Sequence, residues 1–493
     1  MTYRTLKALG LTATHGVISD PFVTGICVDS RDCNVGDLFA AMPGLVTHGG
    51  EFIHYALRMG ATAILTDAVG LEIAQKDGGN LDVPVVVSSN PRRDLALASA
   101  RCYSGQPSCM VAVTGTNGKT SVANFVRQIW ELMGQAAVNF GTTGVEGAFT
   151  TAIAHTTPEP VTLHKLLRRL KDKGITHAAM EASSHGLEQQ RLDGVDLMAG
   201  AFTNFSQDHL DYHKTFEMYF NAKAGLFTRV LPREGSAVIN IDDPAGATLV
   251  DVALSRGLNL ITLGTDQGDL QIIGSRFDAT GQDIRFSCWG QVYTARLNLI
   301  GGFQAQNVLT AVALVIACGG RSADVFGCLP KLRTVPGRMQ WAATRKNGAT
   351  VFVDYAHTPD ALKIALKAIK LHSFGRLIVV FGAGGDRDQS KRSLMGAAAH
   401  DHADVVFVTD DNPRFEDPDS IRKMILVECP NATEIADRAQ AILTAVDALQ
   451  PGDALLIAGK GHETGQIVGD DVLPFDDVEQ ASVAVRALDG LGV

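Results

Sequence analysis

Short runs of β-branched and aliphatic residues alternate along most of the chain with longer segments whose apolar residues recur every three or four positions. The short runs read as buried strands and the longer ones as helices lying on a sheet. Their alternation predicts α/β layers with a largely parallel sheet. In "SVANFVRQIWELMG", residues Val122, Phe125, Val126, Ile129 and Met133 fall on one helix face. The longest apolar run, "VLTAVALVIACGG" from Val308, is too short to span a bilayer and predicts a buried helix. Later in the chain, "TVFVDYAH", "LIVVFGAGGDRD", "ADVVFVTDDNPR" and "DALLIAGKGHE" share one plan, an apolar strand followed by a polar or glycine-rich loop. Open α/β sheets bind ligands just beyond the carboxyl ends of their strands. Plain βα turns need only Gly, Asn and Asp. These loops carry Asp354, His357, Asp386, Arg387, Arg414, Lys460, His462 and Glu463, which predicts a site.

Three blocks follow from the breaks in this pattern. The first, 1–107, is a small α/β domain ending in "SSNPRRDLALASARCYSGQPS", a turn, a helix and a linker. The second, 108–335, opens on the strand-like "CMVAVTG", and the third, 336–493, begins at the Pro336-Gly337 joint. A chain of 493 residues is too long for one core, and 46% apolar with 19% charged residues fits ordered globular domains. Lys and Arg number 43 against 53 Asp and Glu, a net charge of −10 that argues against a nucleic-acid partner. Eight cysteines without a CxxC pair offer no zinc spacing and fit reduced thiols in the cytoplasm; with no signal-like or membrane-spanning stretch, the expectation is a soluble intracellular protein.

The chemistry begins at "VAVTGTNGKTS", a strand, a glycine loop and a helix start. Inward backbone N–H groups and the helix N-terminus hold phosphates, so Gly115, Thr116, Asn117, Gly118, Lys119, Thr120 and Ser121 form a candidate nucleotide loop. Lys119 would reach the outer phosphates and the Thr120 hydroxyl would ligate Mg²⁺. The loop departs from the common spacing, with Val113 where a first glycine is usual. "THAAMEASSHG" ends a strand at Glu181, and "FTNFSQDHLDYH" adds Asp208, His209, Asp211 and His213. One carboxylate with Thr120 and phosphate oxygens suffices for Mg²⁺. The i, i+4 pair His209 and His213 leaves a weak zinc reading open. "TDDNPRFED", 409–417, is by itself equally a polar turn and a recognition loop.

Nine ordered stretches, "TGTNGKTS", "MEASSHGLEQQR", "TNFSQDHLDYH", "NAKAGLF", "VPGRMQ", "VDYAHTPDAL", "FGAGGDRD", "DDNPR" and "AGKGHE", resemble the Mur ligases of peptidoglycan synthesis. The resemblance covers nearly the whole chain, and "VDSRDCNVGDLFAAMPG" is similar to the family's uridine-nucleotide domain. It implies a small uridine-binding domain, a central P-loop-type ATPase domain and a Rossmann-like C-terminal amino-acid domain. It also implies an ATP- and Mg²⁺-dependent, ADP-forming amide ligase of cell-wall precursor synthesis, acting on UDP-MurNAc-L-Ala-D-Glu through an acyl phosphate. By the same resemblance Lys119, Glu181, His209 and Lys223 are catalytic; Thr120, Glu181, His209 and a carbamylated Lys223 serve the metal. Asn307, Arg338 and Asp354 would hold the adenosine, although Gln304 stands where the family often has Asn. Val28 and Ser30 would meet the uridine end, and Thr156, Thr157, Ser184, Gln189 and Arg191 the muramoyl dipeptide.

The resemblance assigns the amino-acid acceptor to Arg387, Asp411, Asn412, Pro413, Arg414, Gly459 and Glu463. A guanidinium grips a carboxylate at two points, so Arg414 would select meso-diaminopimelate, whose far end carries a carboxylate that L-lysine lacks. Asp411 and Asn412 would face the ammonium, and Pro413 would stiffen the loop. The alternatives are ligation of L-lysine, a folylpolyglutamate synthetase-like ligase, and a catalytically idle nucleotide-sugar binding protein. Nothing in the sequence demands more than a monomer.

Overall fold

The computed structural model describes residues 4–44, 47–278, 280–373 and 375–490, with the side chain of Asp211 outside that description. Three sheets organise them into three α/β domains. In the first, Ile26–Cys27, Leu38–Ala40, Ala63–Thr66 and Pro84–Val87 are successive parallel neighbours, edged by antiparallel His15–Gly16. The closing helix Pro91–Cys102 starts where the pattern predicts: the Asn90 side chain accepts from the Arg93 N–H and Pro91 occupies the first turn.

The second sheet has ten strands. At its centre the fully buried β1 (Cys109–Thr114) leads through the glycine loop into α1 (Lys119–Leu132). β2 (His177–Glu181) and β3 (Ala199–Phe202) flank β1, both parallel to it. α2 (Phe216–Gly225) and the apolar α3 (Phe303–Ala317) complete the framework of the site. Val122, Phe125, Val126 and Ile129 of α1 are fully buried in a core shared with α3. Each contributes about 1.5–3 kcal/mol by leaving water, which pins the phosphate loop to a rigid base.

In the third sheet β4 (Thr350–Asp354), β5 (Leu377–Phe381), β6 (Val405–Val408) and β7 (Ala454–Ala458) lie in the spatial order β4-β7-β5-β6, all parallel. Their four polar loops therefore emerge at one edge. Helices cover both faces with separate cores. The second and third domains are joined at residues 300–303, where Ile300 and Phe303 pack with the third domain's core. His372 fastens that joint. Its Nε2 accepts from the Gly301 N–H at 3.0 Å, so Nδ1 carries the proton and donates to the Asp278 carbonyl at 2.6 Å. Among the described residues no helix is long and apolar enough to cross a membrane.

Candidate active site

A cleft of about 550 Å³ runs from the phosphate loop of the central domain to the Asp354–Ala365 segment of the third. The loop's shape follows from two glycines. Gly115 has φ +145°, and a Cβ there would meet the Thr203 hydroxyl at 1.9 Å; Gly118 has φ +88°, with the Asn307 Oδ1 2.6 Å from where a Cβ would stand. The Asn117 N–H donates to Asn204 Oδ1 at 2.8 Å, and Thr203 Oγ1 donates to the Asn117 carbonyl at 2.6 Å. The Lys119 ammonium folds back onto the Gly115 and Thr116 carbonyls at 2.9 and 2.8 Å. Burial holds its pKa below the usual lysine value, against the pull of Glu181 and Asp208. A polyphosphate in the loop would supply the anion this ammonium lacks.

Thr120, Ser121, Glu181, Asp208, His209 and Lys223 line the same cleft. Glu181, at the end of β2, is 1% exposed and accepts from the Thr142 N–H at 3.2 Å. His209 has φ +53° and its Nε2 lies 3.5 Å from Asp208 Oδ2. Desolvation keeps this imidazole neutral despite that carboxylate, which leaves a ring nitrogen able to bind a cation. Lys223, on α2, is also 1% exposed; its Nζ donates to the Gly115 carbonyl at 2.7 Å and stands 4.4 Å from the Tyr219 ring centre. Burial, then the neighbouring Lys119, pushes its pKa well below the ordinary lysine value. A neutral buried amine reacts with CO₂, and the carbamate so formed is an oxygen-donor anion. Thr120, Glu181, His209 and such a carbamate fit a hard divalent cation. His213 is not among the residues lining the cleft; it is buried, its ring 5.2 Å from that of Tyr219, and among the described residues no third His, Cys, Asp or Glu completes a zinc group with the His209–His213 pair.

At the other wall Arg338 donates to the Thr120 hydroxyl at 3.0 Å, and its guanidinium lies 4.5 Å from the Tyr355 ring centre. Asp354 accepts from the Met339 N–H at 2.6 Å, and burial raises its pKa. Asn307, Arg338 and Asp354 all face the cleft. Gln304 does not: it is fully buried, and its Oε1 accepts from Asn307 Nδ2 at 3.2 Å. The expected ligand contact is thus replaced by one that orients Asn307. Thr156 and Ser184 line the cleft, and behind them Arg191 donates to the Thr157 carbonyl at 2.6 Å and to Gln189 Oε1 at 2.8 Å. Val28 and Ser30 lie outside the cleft lining, in the turn just after the strand Ile26–Cys27.

The acceptor residues form a second cluster beside the cleft, on the loops after β5, β6 and β7. The Gly385 N–H donates to the Asn412 carbonyl at 2.9 Å, and a Cβ at Gly385 would meet the Pro413 carbonyl at 1.9 Å. Arg414 has φ +53°, clamped by its N–H to the Ile467 carbonyl and by the Gly469 N–H to its own carbonyl. Its Nη1 donates to the Gly385 carbonyl at 2.8 Å, and Arg387 donates to the Asp386 carbonyl at 3.0 Å. Neighbouring guanidiniums are ion-paired: Arg392 with Glu416, Arg422 with Asp410, Arg438 with Asp477. Among the described residues Arg387 and Arg414 have no such partner. Burial, then Arg387, depresses the Arg414 pKa.

One assignment changes here. Asn412 Oδ1 already accepts from Lys460 at 2.9 Å and from the Ile467 N–H at 3.0 Å, so it has no lone pair left for a ligand ammonium. Its Nδ2 donates to Glu463 at 2.8 Å. Asn412 therefore positions Glu463. Asp411, brought close by Gly459 (a Cβ there would lie 2.4 Å from Asp411 Oδ2), and Glu463 remain as anionic acceptors. Sequence reasoning missed Lys391, at the start of α4 (Lys391–His402). Burial lowers its pKa, while Asp208 of the central domain and Asp388 and Asp411 of the third pull it up, which places this amine between the two clusters. The only signal was a Lys-Arg pair just after "GGDRD".

Family models match in the same three parts: "Mur ligase family, catalytic domain" at residues 22–102, "Mur ligase middle domain" at 113–315, and "Mur ligase, glutamate ligase domain" at 337–461. The chain is 48% identical over 471 residues to a UDP-N-acetylmuramoyl-L-alanyl-D-glutamate–2,6-diaminopimelate ligase of Bradyrhizobium diazoefficiens, covering 94% of this chain and 95% of the relative. The chain belongs to the Mur ligase family. A like-named relative from Caulobacter vibrioides is 46% identical over 478 residues, covering 96% and 97%. A solved structure of a ligase of that name superposes with a TM-score of 0.72 at 31% identity, covering 99% of each chain. Folylpolyglutamate synthase of Mycobacterium tuberculosis shares the fold over 82% of this chain and 95% of its own, at 19% identity and a TM-score of 0.63. Mur ligases are ATP-dependent enzymes that use Mg²⁺, and the cleft has the groups for both.

Proposed function

We propose that this Mur ligase joins meso-diaminopimelate to the D-glutamate γ-carboxylate of UDP-MurNAc-L-Ala-D-Glu, forming ADP and phosphate, as a cytoplasmic monomer in peptidoglycan precursor synthesis. The observation that carries the acceptor is the pair Arg387 and Arg414, two adjacent guanidiniums without an ion-pair partner among the described residues, near the acids Asp411 and Glu463, of which Glu463 lies 3.6 Å from the Lys460 ammonium. A substrate with a carboxylate and an ammonium at its far end satisfies both sides. L-lysine would leave the guanidiniums unmatched.

In this reading, domains 1–107, 108–335 and 336–493 hold the uridine end, ATP with the dipeptide, and the amino acid. Val28 and Ser30 meet the uridine; Thr156, Thr157, Ser184, Gln189 and Arg191 orient the dipeptide. The glycine loop holds the triphosphate, Lys119 leaves its carbonyls for the outer phosphates, and Asn307, Arg338 and Asp354 bracket the adenosine. Thr120, Glu181, His209 and carbamylated Lys223 would hold Mg²⁺, which offsets charge as carboxylate and triphosphate approach. The γ-carboxylate attacks the γ-phosphorus to give an acyl phosphate and ADP. The amine, aimed by the arginine pair, then attacks the acyl carbon and phosphate leaves. ADP formation that requires the nucleotide dipeptide, ATP and meso-diaminopimelate together is the expected result. ADP release independent of the dipeptide and amino acid would refute the ligase reading.

A further inference from the structure

The cysteine pattern offers no zinc spacing, yet the fold makes a thiol pair. After the strand Ile26–Cys27 the chain turns through a short 3-10 segment, Ser30–Asp32, capped by Asp29, and returns Cys33 to Cys27. The Sγ atoms of Cys27 and Cys33 and a carboxylate oxygen of Asp37 all lie within 4.8 Å of one another. The three residues are 7%, 3% and 7% exposed, and both thiols are free. Asp37 is a buried carboxylate with no ion pair among the described residues. It is oriented instead by neutral donors: Oδ2 accepts from the Asn34 N–H at 3.0 Å and Oδ1 from the Thr24 hydroxyl at 3.2 Å. Hydrogen bonds of this kind fix ligating carboxylates around metals.

We propose that Cys27, Cys33 and Asp37 form a site for a borderline-soft divalent cation such as Zn²⁺, with one position left for water. Two thiolates and one carboxylate are a suitable donor set for such an ion. Binding releases two thiol protons, so the cluster keeps the single negative charge it has with Asp37 ionised and both thiols protonated. A disulfide is a poorer account of the same geometry. It would leave the buried Asp37 carboxylate, already oriented by Thr24 and Asn34, without a role. Entry is short, because Cys33 sits between exposed Asp32 and Asn34 and beside Val35, which is 82% exposed. The bound ion would brace the turn carrying Val28 and Ser30. Coupling to uridine binding is thus a second consequence, and it rests on the function proposed above.

Full-length reduced protein, stripped by chelator, is titrated with Co²⁺. The expected result is a thiolate-to-cobalt charge-transfer band that saturates at one equivalent, releases two protons and is displaced by Zn²⁺. It is absent from Cys33→Ser and Cys33→Ala proteins whose circular dichroism matches the parent. No band, or a band that persists in both folded variants, overturns the site. With Zn²⁺ bound, uridine diphosphate should bind about fivefold more tightly, an effect lost in Cys33→Ser. Unchanged uridine diphosphate affinity alongside a normal cobalt band would overturn the coupling and leave the metal site standing.

Discussion

Arg414 stands in a left-handed conformation that non-glycine residues adopt at a cost of about 1–2 kcal/mol. Its N–H and carbonyl are both clamped by residues 467–469, so the guanidinium is aimed before any ligand arrives. Replacing it by Ala should lower kcat/KM for meso-diaminopimelate by about 10²–10⁴-fold and leave ATP and nucleotide-dipeptide affinities nearly unchanged. Equal loss of all three affinities would show a structural role instead. Lys223 makes a different kind of claim. Burial, then Lys119, holds its folded pKa well below the ordinary lysine value, which favours the neutral amine that CO₂ requires, whereas falling pH protonates it and drives CO₂ off. Activity should therefore drop when CO₂ is stripped and return with bicarbonate, most sharply at the acid end of the profile. A bicarbonate-independent rate at every pH would contradict carbamylation.

At the scale of elements, Asn307 on α3 presses against Gly118 of the glycine loop and leaves no room for a Cβ there. Gly118→Ala places a methyl 2.6 Å from Asn307 Oδ1 at φ +88°. We expect the KM for ATP to rise about tenfold, with the thermal midpoint lower by a few degrees. An unchanged KM would mean that the loop reshapes freely. Much of this architecture was legible because it rests on local patterns. The α1 face, the buried α3 and the four strand-then-loop segments of the third domain are each written in consecutive residues. What was not legible depends on which groups the folded chain turns toward one another. Asn412 is consumed by Lys460 and Ile467, some fifty residues away. Gln304 turns inward to Asn307 three residues on, and Lys391 meets Asp208 only once two domains come together. The Cys27–Cys33–Asp37 cluster exists only after a strand and a turn have formed.

For the whole molecule, the chemistry needs ATP on the central domain and the amino acid on the third to be brought into line. The contact of Arg338 with Thr120 and the His372 fastening at Gly301 hold the two domains face to face around the cleft. Closure on substrates is the expected motion, since each domain holds only part of the reaction. In the proposed function, selectivity then rests on whether Arg387 and Arg414 meet a carboxylate on the incoming amino acid. The most direct measurement offers the protein an equimolar mixture of meso-diaminopimelate and L-lysine with ATP and UDP-MurNAc-L-Ala-D-Glu, and resolves the tripeptide products by mass. This account predicts the diaminopimelate product in excess by at least about 10²-fold. Comparable yields of the two products would contradict it.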